Sequence, residues 1–117
     1  MQTRVLIVDD HPSFRGSARA LLASEGYDVI GEAETGGEAV QLAKTLQPDL
    51  VVLDVQLPDM NGFEVTALLR ELEPPPDVVL TSSRDDYTKA VVGTGARGFL
   101  PKDALSGQAL DELLSRT

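Results

Sequence analysis

Val5-Leu6-Ile7-Val8-Asp9-Asp10 and Leu50-Val51-Val52-Leu53-Asp54 repeat one pattern: an unbroken apolar run, rich in β-branched residues, that ends on carboxylates. Apolar runs without polar alternation suit strands buried on both faces, and such strands belong to parallel sheets covered by helices on either side. A third segment, Gly98-Phe99-Leu100-Pro101, leads into Lys102. In a parallel sheet the carboxyl ends of all strands share one edge, which brings Asp9, Asp10, Asp54 and Lys102 toward one place. Three carboxylates and one ammonium at such an edge form a phosphoryl-transfer constellation.

Outward from these runs the chain alternates strand and helix, the pattern of an open α/β sheet. Strands are expected at Arg4 to Val8, Asp28 to Ala33, Asp49 to Leu53, Asp77 to Thr81 and Arg97 to Leu100, with the first and third central. Helices are expected at Pro12 to Ser24, Gly37 to Leu46, Asn61 to Leu72, Asp86 to Thr94 and Ser106 to Leu114. Pro12 suits a first helical turn, and Glu25-Gly26, Gln47-Pro48 and Gly93-Thr94-Gly95 punctuate helix ends. Leu105, Ala109, Leu110, Leu113 and Leu114 recur at helical spacing and read as core packing. Pro74-Pro75-Pro76 stiffens a loop.

At 117 residues the chain fits one domain able to bury its own core. It has no cysteine, so neither disulfides nor thiolate metal sites exist, and its single histidine, His11, excludes a histidine-rich centre. Any metal is therefore expected on oxygen ligands. A net charge of -9 disfavours nonspecific binding to nucleic acid or anionic lipid, both of which are polyanions. Apolar stretches are too short for a membrane span, and no signal-peptide core follows Met1-Gln2-Thr3-Arg4, so a cytoplasmic location is expected.

Each candidate residue also has an ordinary reading. Asp9 or Asp10 could cap the helix at Pro12, Asp54 and Asn61 could serve turn and cap chemistry, Lys102 could be a solvated surface lysine, and Ser82 could cap the helix near Asp86. The functional reading starts from repulsion: three clustered carboxylates raise one another's pKa unless a cation joins them. Magnesium fits, since it takes one or two carboxylates and keeps waters and phosphate oxygens. A carboxylate can accept a phosphoryl group, and Lys102 and Ser82 could each hold a phosphate oxygen.

Taken together, Asp9-Asp10-His11-Pro12, Asp54 followed by Leu57-Pro58-Asp59-Met60-Asn61-Gly62, Ser82, and Phe99 ahead of Lys102-Asp103 resemble the receiver domain of two-component response regulators. The resemblance covers essentially the whole chain. Gly95-Ala96-Arg97-Gly98-Phe99-Leu100 brings it nearest to receivers of the LuxR-type regulator group. It implies a flavodoxin-like, doubly wound five-stranded parallel sheet of order 2-1-3-4-5 with five helices, residues 1–117 forming one receiver domain without an output domain. It further implies that Asp54 is the phosphoacceptor, and that Asp9, Asp10, Asp54 and the backbone carbonyl of Gln56 hold Mg2+, for which Mn2+ can substitute. Lys102 and Ser82 would assist, and Ser82 and Phe99 would switch the surface of the fourth helix, fifth strand and fifth helix.

The implied partners are a sensor histidine kinase or phosphotransfer protein, small acyl phosphates as donors, and a second copy docked on that surface as a homodimer. The resemblance implies a signalling domain that assists its own phosphorylation and dephosphorylation rather than an enzyme, with regulation of transcription through an attached domain as one use. Three features depart from the usual pattern: the stretch from Ser82 to Lys102 is short, which keeps Thr81 as a second candidate hydroxyl; Lys102 is followed by Asp103 where many relatives have proline, with Pro101 on its other side; and Phe99 stands where tyrosine is commoner. Competing chemistries fit less well. A haloacid-dehalogenase phosphohydrolase needs Asp-x-Asp, where this chain has His11; a cobalamin module needs glycine at Phe14; a flavin phosphate would be repelled by Asp9-Asp10. A receiver fold used only for interaction would be expected to have lost an acidic residue or the lysine.

Overall fold

The apolar runs become the middle of the sheet. In the computed structural model, which describes residues 2–115, Val5 to Val8 and Leu50 to Leu53 are all buried. Five strands, β1 (Arg4–Val8), β2 (Asp28–Ala33), β3 (Leu50–Asp54), β4 (Asp77–Ser82) and β5 (Gly98–Pro101), pair in parallel in the order β2-β1-β3-β4-β5. This is the expected order.

Side chains of successive strand residues point to opposite faces, and the two faces fill different cores. Val5, Ile7, Leu50, Val52 and Val79 pack with Ala18 and Leu22 of α1 (Pro12–Ser24) and Leu110 and Leu113 of α4 (Gly107–Leu114). Leu6, Val8, Val51, Leu53, Val78, Leu80 and Phe99 pack with Ala39 and Ala43 of α2 (Gly36–Leu46) and Val65 and Leu69 of α3 (Gly62–Leu69). The period-two rule then extends to the strand ends. Asp9 continues Val5 and Ile7, Asp54 continues Leu50 and Val52, and Thr81 continues Val79, all toward the α1 and α4 face. Ser82 continues Val78 and Leu80 toward the other.

Helix starts follow the cap chemistry of the sequence. Thr35 accepts from the Glu38 amide, Ser106 from the Ala109 amide, and Asn61 forms a reciprocal capping box with Glu64. Asn61 is thus the cap of α3 rather than its first residue, and that helix ends at Leu69, short of the expected Leu72.

The largest difference lies between β4 and β5. The helix expected over Asp86 to Thr94 does not form, leaving four α-helices among the described residues; hydrogen-bonded turns occupy the segment instead. The Asp86 carboxylate accepts from both the amide and the hydroxyl of Thr88, as a helix cap would, yet only a turn follows, and two local forces explain why. Gly93 and Gly95 take φ of +85° and +91°, which ends any helical course. Val91, Val92 and Thr94 are β-branched and favour helix weakly. Lys102, too, leaves β5 directly into a 3-10 turn, Lys102–Ala104.

Gly62 ties the fold to the sheet edge. Its amide donates to the Val55 carbonyl at 2.7 Å, and a Cβ here would lie 2.7 Å from the Asp54 carbonyl oxygen and 2.9 Å from Val55 Cα. Propensity alone favours alanine at a helical position by roughly 1 kcal/mol, but backbone atoms cannot swing aside as a side chain can. Gly62→Ala is expected to destabilise the protein by about 1–3 kcal/mol in urea unfolding, the opposite sign to the propensity gain. Amide shifts at Asp54 and Val55 should accompany the loss.

Candidate functional site

Asp9 leaves β1 still on the sheet's ladder, its amide donating to the Ala33 carbonyl at 3.0 Å. Its side chain is fully buried, and Oδ2 meets Lys102 Nζ at 2.6 Å. Asp54, the last residue of β3, is 4% exposed and accepts from Lys102 Nζ at 3.2 Å on Oδ2 and from the Gln56 amide at 3.2 Å on Oδ1. Lys102 therefore bridges two desolvated carboxylates. Its ammonium lies 4.8 Å from the ring centroid of Phe14, an aromatic face that also favours a cation.

These contacts set the electrostatics. Burial pushes the Asp54 carboxyl above the usual carboxylate range; the Gln56 amide pulls it down, the Asp9 charge pushes it up again, and Lys102 offsets only part of the total. For Lys102 burial alone would lower the ammonium, but the contacts with Asp9 and Asp54 outweigh it and hold the group above its ordinary value. One lysine among three carboxylates leaves the cluster net negative.

Asp10 and His11 complete the group. His11 Nδ1 lies 2.9 Å from Asp9 Oδ1 and 3.1 Å from Asp10 Oδ1, and the His11 amide donates to Asp9 Oδ1 at 2.8 Å. Asp9 thus does make a local turn bond, yet neither aspartate caps α1; the cap position is His11, and its side chain caps nothing. Apart from that His11 contact, Asp10 Oδ1 is buried without a hydrogen-bond partner. Ligand atoms of Asp9, Asp10, His11 and Asp54 all lie within 4.8 Å of one another, and this donor set fits a hard divalent cation. Gln56 stands on the rim of the same cleft, about 250 Å³, with Asp10, His11, Asp54, Ser82 and Lys102.

The two candidate hydroxyls separate clearly. Ser82 lines the cleft, but its Oγ accepts from the Arg84 amide at 3.1 Å and the Asp85 amide at 3.5 Å, which is the capping role without a helix to cap. Thr81 pairs in register with Asp54, is 1% exposed, and its Oγ1 has no hydrogen-bond partner. A buried hydroxyl without a partner is costly and signals a group awaiting one. Phe99 is buried, and Tyr87 meets it edge-on at a centroid distance of 5.8 Å while meeting Phe63 at 5.8 Å on its other side.

Sequence reasoning missed the supports. Arg15 donates to the Asp9 carbonyl at 2.6 Å and, with Arg19, pairs with Glu32, holding that carboxyl below its usual range through the Arg19 hydrogen bond first. Asp59 reaches across to the Gly36 and Gly37 amides at 2.8 and 2.9 Å, capping α2 from the loop after Asp54; those bonds keep its carboxyl below the usual range. The proximity of such partners is tertiary.

The model of the response regulator receiver domain matches residues 5–114. The chain belongs to this family. A transcriptional regulatory protein, NarL of Mycobacterium tuberculosis, is 39% identical over 97% of this chain and 54% of its own length. The structure of the signal receiver domain of the M. tuberculosis response regulator NarL superposes with a TM-score of 0.85 at 38% identity, covering 98% of both chains. A two-component response regulator of the LuxR family from Aurantimonas sp. SI85-9A1 gives a TM-score of 0.88 at 32% identity, over 99% of this chain and 88% of that one. The chain spans about half the length of the curated relatives it matches, which are transcriptional regulators. This receiver is thus a signalling domain of the two-component class. No helix among the described residues is long and apolar enough to cross a membrane.

The site has a stability signature. Because the folded Asp54 carboxyl sits above its unfolded value, no cost arises below the unfolded pKa, where both states are protonated. As pH rises through the folded pKa the buried group must ionise, and the cost is complete above it. In chelator, Asp54→Asn is expected to raise the urea midpoint at neutral pH and to lose that advantage in acid. Equal gains at both ends would contradict the electrostatic origin.

Proposed function

We propose that residues 1–117 act as one receiver unit in which Asp54 accepts a phosphoryl group in a magnesium-dependent reaction. The observation that carries this is the convergence of Asp9, Asp10, Asp54 and Lys102 on one cleft, with Asp54 desolvated and bridged to Lys102. A carboxylate oxygen of Asp54 forms a bond to phosphorus while the donor's P–N bond, in a phosphohistidine, or P–O bond, in an acyl phosphate, breaks and keeps its electron pair. The Gln56 amide and Lys102 orient the carboxylate from its two oxygens, and Lys102 can then follow the developing charge on the phosphoryl oxygens. Asp9, Asp10, Asp54 and the Gln56 carbonyl are the ligands assigned to Mg2+, with Mn2+ a substitute. When bound, the ion supplies charge neutralisation and alignment.

The donors in this reading are a sensor histidine kinase or phosphotransfer protein and small acyl phosphates, which agrees with a cytoplasmic location. The output is a two-state surface built by the segment between β4 and β5, β5 itself and α4, on which a second copy or an attached regulatory domain docks. Of the two hydroxyls, the partnerless Thr81 is assigned the bond to the phosphoryl group, and Ser82 the support of the following turn. Tyr87, stacked on Phe99, is the ring whose packing reports the change.

Phosphorylation with acetyl phosphate and Mg2+, read by intact mass, tests the acceptor: the wild type should gain a base- and hydroxylamine-labile adduct, and Asp54→Asn none. An adduct retained at wild-type level would move the chemistry elsewhere. Thr81→Ala should still accept phosphate but lose the ring-resonance response of Tyr87 and Phe99 to beryllofluoride, whereas Ser82→Ala should keep it. The reverse result would return the hydroxyl role to Ser82.

A further inference from the structure

Composition led to the expectation of an all-oxygen metal site, yet the group around Asp9 also contains a nitrogen. His11 is the N-cap residue of α1, directly followed by Pro12, and its ring is not spent on capping the helix. The ring turns back to the carboxylates instead, with Nδ1 2.9 Å from Asp9 Oδ1 and 3.1 Å from Asp10 Oδ1. It also lines the same cleft as Asp54 and Gln56. Asp10 Oδ1 is buried and has no hydrogen-bond donor on it, and the nearest group that can carry charge is the His11 ring nitrogen at 3.1 Å.

We propose that His11 is a metal ligand through Nδ1 and that it broadens this site from magnesium toward borderline divalent ions such as Ni2+, with Mn2+ binding through the same donor set but gaining least. The inference rests on the metal reading above and deepens it. Imidazole nitrogen adds little for Mg2+, which prefers oxygen and sheds water reluctantly, but it strengthens binding of later first-row ions along the Irving–Williams order. Without an ion Nδ1–H donates to the Asp9 carboxylate; an ion that takes the place of this proton, with the ring proton then on Nε2, would meet the Nδ1 lone pair. The side chain is 63% exposed, so the ring can adjust by a few tenths of an ångström without disturbing the core.

Because His11 is the single histidine, labelling with [15N]histidine marks one residue only. Metal-depleted protein is titrated with Mg2+, Mn2+ or Ni2+ alone, and the Mn2+ complex is examined by pulsed electron paramagnetic resonance. The expected result is a histidine nitrogen coupling that changes with the label and disappears in His11→Ala. Affinity for Ni2+ should fall about tenfold or more in that variant and that for Mn2+ by less, while that for Mg2+ stays within about twofold. Mn2+ that depends on Asp54, as tested with Asp54→Asn, but shows no histidine coupling would overturn the His11 assignment and leave the carboxylate site standing. Mn2+ affinity unaffected by Asp54→Asn would overturn both.

Discussion

Two buried carboxylates share one ammonium, and the rest of the molecule is arranged so that they can. Asp9 and Asp54 repel each other across neighbouring strands, and Lys102, entering from the end of β5, sits between them at 2.6 and 3.2 Å. A single lysine cannot satisfy the group, since Asp10 adds a third negative charge. Removing one partner of a desolvated pair leaves an uncompensated charge, a cost of about 3–5 kcal/mol in measured cases. The fold therefore stores a demand for positive charge at one edge, and Lys102 alone meets only part of it.

The sheet makes this demand possible through parity. β1 and β3 are central, so their ends are adjacent, and the same alternation that sends Ile7, Val52 and Val79 into the α1 and α4 core sends Asp9, Asp54 and Thr81 to the same side of the edge. A one-residue slip in β4 would exchange Thr81 and Ser82 and put a hydroxyl already engaged by two amides beside the acceptor. Register is held by the buried face on either side, which is why the edge chemistry is as well defined as the core.

This parity also explains what could be read in the sequence. Continuous apolar runs announce buried strands, and a carboxylate at the end of each locates the edge, so Asp9, Asp10, Asp54 and Lys102 were legible without coordinates. The choice between Ser82 and Thr81 was not, because it depends on where β4 ends: the strand reaches Ser82, one residue beyond the expected end. The missing helix over Asp86 to Thr94 had its warning signs in Gly93, Gly95, three β-branched residues and the shortness of the stretch from Ser82 to Lys102, against which stood only the alternation of strand and helix. Asp59 and Arg15 were invisible for another reason. Their partners, the α2 amides and the Asp9 carbonyl, are distant in sequence and adjacent only after folding.

The irregular segment after β4 has a physical consequence for signalling. A regular helix would carry its own hydrogen bonds and resist deformation, whereas this segment is held at its start by Ser82 Oγ on the Arg84 and Asp85 amides and farther on by Tyr87 and Val91 against the core. Thr81 is the residue next to that first anchor. In the proposed switch, a pull on its hydroxyl from the Asp54 side would move the strand end that carries Ser82, and with it the two amides that position the turn. Tyr87 lies between Phe63 of α3 and Phe99 of β5, both at 5.8 Å, so a shift of the turn must trade one edge-to-face contact against the other. Each such contact is worth about 0.5–1.5 kcal/mol beyond its buried area, a size at which two packings can stay close in energy. In the proposed reading, a charge placed at Asp54 would need to supply only that small difference to select one surface over the other.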